Sequence, residues 1–109
     1  MTVNQIAERL SLKPISLPDG ERTVSGGYVG DLLSWVMGRA KSGDAWITIM
    51  SNVNIIAVAT LADVACIVLA EGVTLDETVK ATALAKGVNV YTSDRTAYEL
   101  AASVAGILK

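Results

Sequence analysis

From Gly30 onward the chain switches repeatedly between two hydrophobic periods, and this alternation restricts its fold more than any other feature. Leu32, Leu33, Val36, Met37 and Ala40 follow the 3.6-residue helical repeat. The next run, Ala45 to Met50 (AWITIM), is rich in β-branched and aromatic residues and short enough for a buried strand. Ile55 to Leu61 is apolar nearly all round, and Ala65 to Leu69 reads as a continuous apolar strand closed by Glu71-Gly72. A helix is predicted over residues 75 to 86 and a strand over Val88 to Tyr91. Ala97, Leu100, Ala101, Val104 and Leu108 then form the stripe of a last helix. Strands that alternate with helices through short loops require right-handed crossovers and a parallel sheet covered by helices. The expected class is therefore α/β, a small two-layer or three-layer domain with a mostly parallel sheet and flanking helices.

Element ends carry their own signals. Thr2 is placed to cap a helix bearing Val3, Ile6, Ala7 and Leu10 on one face. Ile15 to Leu17 and Thr23 to Val29 read as two short strands joined by the turn Pro18-Asp19-Gly20. Asp31 is the expected N-cap of the next helix, and Asn52 or Asn54 that of the one after it. Thr74-Leu75-Asp76-Glu77 matches a capping box, with Gly87 at the C′ position, and Ser93 or Asp94 is expected to cap the last helix.

At 109 residues, positions 1 to 109 fit a single domain, since a second core would need roughly 50 or more further residues. A chain of this size buries only about two thirds of its unfolded surface, yet 51% of its residues are hydrophobic and its mean hydropathy is +0.45. Part of the apolar surface is thus expected to face a partner chain. The apolar helix offers Ile55, Ile56, Val58 and Ala59 as the expected homodimer interface.

Nine basic and eleven acidic residues, net charge −2, are scattered without runs, so neither nucleic acid nor a membrane surface is an expected partner. The most apolar stretch, Ile55 to Ala70, is shorter than the roughly 20 residues of a spanning helix and is interrupted by Asp63. No secretory leader is legible, and a cytoplasmic location is expected. The single cysteine, Cys66, stands among apolar neighbours as a small hydrophobe. The chain has no histidine, the commonest general base and metal ligand. No catalytic constellation, metal site or cofactor is therefore expected, and the chain does not read as an enzyme.

In an open parallel sheet, ligands bind beyond the carboxyl ends of the strands, where loops and helix N-termini converge. Three loops qualify here, and they supply Ser51, Asn52 and Asn54, then Glu71 and Gly72, then Thr92, Ser93 and Arg95 as candidate ligand-binding residues. Free backbone N–H groups at the first loop suit a phosphate or carboxylate, and Arg95 adds a cation. The same residue types are ordinary helix caps, which is their commoner use. The run Ser25-Gly26-Gly27-Tyr28-Val29-Gly30-Asp31 matches neither GxGxxG nor a P-loop, and Asp31 places a negative charge where a phosphate would sit. Two functional readings remain. One is a homodimeric sensor or adaptor that binds a nucleotide or other small anion and signals to a partner protein; the other is a structural interaction module without a small-molecule ligand.

Through GGYVGDLLSWVMGRAKSGDAWITI, residues 26 to 49, and NIIAVATLADVACIVLAEG, residues 54 to 72, the chain resembles the stand-alone bacterial DRTGG-domain proteins. The likeness extends over almost the whole chain and rests on the overall pattern and the Gly-Asp-Leu-Leu-Ser run at 30 to 34. It implies a small α/β domain that forms dimers and is found alone or joined to CBS domains, pyrophosphatases and phosphotransacetylases, with no catalytic activity established for the domain itself. The family is named for an Asp-Arg pair after one strand and a Thr-Gly-Gly after the next. Ser51 and Asn52 stand at the first, and Ala70, Glu71 and Gly72 at the second, where Gly72 alone matches.

Overall fold

Thr2 opens the structure as an N-cap. Its hydroxyl accepts the Gln5 N–H at 3.2 Å while its own N–H donates to the Gln5 side chain at 2.8 Å, a capping box that starts α1 (Val3–Leu10). The computed structural model describes residues 1–108. The elements that follow are β1 (Lys13–Ser16), β2 (Gly26–Val29), α2 (Leu33–Arg39), β3 (Asp44–Thr48), α3 (Asn54–Ala62), β4 (Cys66–Leu69), α4 (Glu77–Lys86), β5 (Val90–Thr92) and α5 (Ala97–Ile107).

The five strands form one sheet in the order β1-β5-β4-β3-β2. Strands β2 to β5 run parallel, and β1 joins β5 antiparallel with an irregularity between Pro14 and Ser16. Because successive parallel strands are neighbours, right-handed crossovers stack α2, α3 and α4 side by side on one face. The other face is covered by α1 and α5. The result is a three-layer α/β fold. Side chains alternate across the sheet: Ala45, Ile47, Cys66 and Val68 meet α1 and α5, whereas Trp46, Ile67, Leu69 and Val90 meet the other helices. Strands covered on both faces must be apolar through their centres, which explains Ala45-Trp46-Ile47 in β3 and the unbroken run Cys66–Leu69 in β4, while buried Asp44 and Thr48 at the ends of β3 are held by hydrogen bonds.

The helical layer corrects one expectation directly. Ile55, Ile56, Val58 and Ala59 are not an interface; they are 0–5% exposed, buried in the chain's own core with Trp46, Ile67 and Leu69. The second cover that an all-apolar helix needs comes from α2 and α4, and the exposed side of α3 instead carries Asn54, Ala57, Thr60 and Leu61.

A second correction concerns β1 and β2, which form no hairpin and lie at opposite edges of the sheet. The segment between them folds back on the amino end of the chain. Val3 N–H donates to Arg22 O and Val24 N–H to Met1 O, each at 2.8 Å, and Thr2 bridges Thr23. The turn is pinned from below by buried Asn89, whose side chain accepts the Asp19 N–H at 2.9 Å and donates to Asp19 O at 2.8 Å and Ala65 O at 3.0 Å.

Several caps also differ. Asp76, not Thr74, caps α4 by accepting the Val79 N–H, with Gly87 closing the helix in the left-handed conformation. Thr96, not Ser93 or Asp94, caps α5 in a capping box with Glu99. Neither Asp31 nor Asn54 is an N-cap; those positions fall to Leu32 and Val53, which lack a side-chain cap. Among the described residues no helix is long and apolar enough to cross a membrane.

Candidate functional site

Strands β2 to β5 point the same way, so their four following loops emerge at one edge of the sheet. Hydrogen bonds divide this edge into two halves. In the first, the Asp31 carboxylate after β2 accepts the Thr48 hydroxyl at 2.7 Å and the Ile49 N–H at 3.0 Å, and Thr48 in turn accepts the Met50 N–H at 3.2 Å. The Trp46 indole donates to Gly30 O at 2.9 Å from the buried side of the same turn. Ser51, Asn52 and Asn54 continue this half and are all exposed.

In the second half the loops after β4 and β5 are laced together. Glu71 N–H donates to Arg95 O and Gly72 N–H to Ser93 O, both at 2.8 Å, while Ser93 N–H reaches Leu69 O at 2.9 Å. The Thr92 hydroxyl donates to Val73 O at 2.6 Å. These bonds require a sharp turn: Glu71 has φ 60° and Gly72 φ 74°. A left-handed Glu carries a steric cost, because its Cβ crowds the backbone. A Cβ at Gly72 would moreover approach Asp94 Oδ1 to 3.2 Å. The turn lies where the chain changes faces, since α4 follows β4 onto one side of the sheet and α5 follows β5 onto the other. Such a switch point is the usual crevice of an open α/β sheet.

The structure thus brings Glu71, Gly72, Thr92, Ser93 and Arg95 into one hydrogen-bonded cluster. Among the described residues no hydrogen bond links Ser51, Asn52 or Asn54 to that cluster. The expected supply of free N–H groups at the first loop is also reduced. Asn54 N–H donates to Asn52 Oδ1 at 2.9 Å, Ile55 N–H to Asn52 O and Ile56 N–H to Val53 O. Beside Arg95, the Glu99 carboxyl is held below its ordinary range by the Thr96 N–H, then by the Thr96 hydroxyl, with Arg95 adding to the effect. Asp31 and Thr48 were not legible as partners, because each reads locally as a cap or a strand residue and their pairing spans two strands.

Cavities open on the helical face and along the β2 edge rather than at the β4–β5 loops. One of about 470 Å³ runs between α3 and α4, walled by Val53, Ala57, Leu61, Thr82 and Lys86, and it reaches the first candidate loop at Asn54. Two more, of about 350 and 460 Å³, flank the outer edge of β2. Among the described residues no group of three His, Cys, Asp or Glu side chains is arranged to hold a metal ion.

No family model matches the chain, and no curated protein matches it. Among solved structures, the fold is similar to that of the CBS and DRTGG domains of the regulatory region of a Clostridium perfringens pyrophosphatase, crystallised with its activator diadenosine tetraphosphate. The TM-score is 0.73 at 14% sequence identity, and the match covers 94% of this chain but 45% of that one. At such identity the likeness establishes the fold, which is α/β and DRTGG-like.

Proposed function

We propose that this chain is a non-catalytic regulatory module that acts as a homodimer and binds a nucleotide or another small anion at the carboxyl edge of its sheet. The observation that carries the reading is the match of 94% of the chain to a regulatory region whose structure holds a dinucleotide activator. The laced β4–β5 loops support the location, since left-handed Glu71 stands there beside Gly72, the Ser93 hydroxyl and the exposed cation Arg95. Backbone strain of this kind collects where a ligand or a switch needs it.

A second reading, an interaction module without a small ligand, is favoured by one specific fact. The N–H groups of Glu71, Gly72, Asn54 and Ile55 are already used within the chain. Thermal unfolding against adenine and guanine nucleotides, dinucleoside polyphosphates, acyl phosphates and simple anions, with and without magnesium, separates the two. A ligand at about 100 times its dissociation constant stabilises the folded state by roughly 2.7 kcal/mol, which moves the midpoint by several degrees. A flat panel with the fold intact would remove the small-ligand reading.

A further inference from the structure

The two edges of the sheet are built differently. Edge strand β1 is guarded by Lys13, Pro14 and a break in register, all devices that stop a second chain from pairing. Edge strand β2, Gly26-Gly27-Tyr28-Val29, has none of them. Its ladder with β3 is regular from Gly26↔Asp44 to Val29↔Ile47, and Gly30 N–H donates to Ile47 O at 3.2 Å. Backbone groups alternate along a strand, so Gly26, Tyr28 and Gly30 face β3 while Gly27 and Val29 turn their N–H and C=O groups outward.

We propose that β2 pairs antiparallel with β2 of a second copy about a two-fold axis at Tyr28, joining the two sheets into one. This rests on the homodimer reading above and names its surface. With the axis at Tyr28, Gly27 of each copy exchanges both backbone bonds with Val29 of the other, the only residues whose groups point outward in the strand. On the α5 face each Val29 side chain then stands opposite a glycine, with room to enter the furrow of about 350 Å³ between β2 and α5. On the α2 face Tyr28 meets its own copy, and its ring already lies over Gly30 rather than across the edge.

Charge and exposed apolar side chains agree with this occupant. Antiparallel pairing sets the carboxyl end of each strand beside the amino end of the other. Exposed Asp31 of one copy is thereby brought towards the furrow of about 460 Å³ at Gly26 and Gly27 of the other, where the two cations Arg39 and Lys41 outnumber the single carboxylate of Asp44. Flanking the strand, Val29 is 48%, Leu32 58% and Trp35 52% exposed, the last with Arg39 stacked on its ring at 3.8 Å. This exposed apolar strip continues the open strand edge, so pairing of the two edges covers it in both copies.

The test begins with sedimentation equilibrium of the intact chain up to about 100 µM, far above the dissociation constants of standard interfaces. The native chain is expected to be a dimer, and Val29→Pro a folded monomer. Proline at Val29 removes only an outward N–H, so the internal ladder is kept. Tyr28→Cys tests the axis without breaking the pairing. Facing positions in an antiparallel non-hydrogen-bonded pair are about 4.5 Å apart, within disulfide reach, so mild oxidation should yield a crosslinked dimer. Leu61→Cys, on the exposed side of α3, should crosslink far less. Cys66 does not interfere, being buried, with its thiol pushed up to about 12 by desolvation. A native dimer that survives Val29→Pro, and does not crosslink through Tyr28→Cys, overturns this surface and leaves the homodimer reading standing. A monomer throughout overturns both.

Discussion

Asp31 reaches across the sheet edge to Thr48, its carboxylate accepting the Thr48 hydroxyl at 2.7 Å and the neighbouring Ile49 N–H at 3.0 Å. The Thr48 side chain is 1% exposed, so this acceptor is the partner its buried proton needs. Asp31→Ala should therefore destabilise the chain by about 1–3 kcal/mol, the cost of stranding a buried donor. Chemical denaturation measures this. An unchanged midpoint would mean that Thr48 finds another partner and that Asp31 is an ordinary surface carboxylate.

Ile56 and Leu61 lie on one helix and should respond in opposite ways to a charge. Ile56 is 1% exposed and packs in the sheet-facing core, so Ile56→Asp is expected to unfold the chain, because a buried unpaired carboxylate exceeds the stability of a small domain. Leu61 is 70% exposed, and Leu61→Asp should stay within about 0.5 kcal/mol of the native protein. Circular dichroism melts distinguish these outcomes; a folded Ile56→Asp chain would contradict the assignment of α3 to the core.

This contrast also marks what the sequence made legible. The strand–helix alternation after Gly30 specified the parallel sheet because each period is local and buried on both sides. The all-apolar α3 signalled two covers but not their source, since neighbouring helices and a second subunit present the same chemistry. The turn Pro18-Asp19-Gly20 mimicked a hairpin because turn chemistry is local, whereas the pairing of β1 with β5 joins residues more than seventy positions apart, such as Ser16 and Val90. The three candidate loops do lie together at the carboxyl edge of the sheet. Their self-satisfied N–H groups were not legible, because Asn52 and Asn54 read equally as caps and as ligands.

Tyr91 is 2% exposed, and its hydroxyl is buried without a hydrogen-bond partner among the described residues. Burial pushes the phenol up from its ordinary range, with Cys66 adding to the effect. Tyr91→Phe removes a polar group that gains nothing on folding, so stability should be unchanged or rise by about 1 kcal/mol. Equilibrium unfolding decides it, and a loss of more than about 1 kcal/mol would reveal a partner for the hydroxyl.

Acid should weaken one surface tie. Asp63 is held below the ordinary carboxylate value of 3.8 by hydrogen bonds from Arg22 and then Ser42. A depressed folded value means that the stability Asp63 adds is complete above the ordinary range and is lost as pH falls through its folded value. The pair is largely solvated, at 29% and 58% side-chain exposure, so the contribution is small. Asp63→Asn, which tolerates the left-handed conformation at this position, should be less stable than the native chain near neutrality and converge with it as the pH falls below that ordinary value. A difference independent of pH would assign the effect to something other than ionisation.

The regulatory reading is tested most directly by amide NMR of the isotopically labelled chain, titrated with nucleotides, dinucleoside polyphosphates and inorganic phosphate. Predicted are saturable shifts gathered at Ser51, Asn52 and Asn54, at Glu71 and Gly72, and at Ser93 and Arg95, with the largest where the Glu71 turn bonds the β5 loop. Amides that stay unperturbed at millimolar ligand, or shifts gathered between α3 and α4 around Ala57 and Lys86, would contradict a ligand site at the carboxyl edge of the sheet.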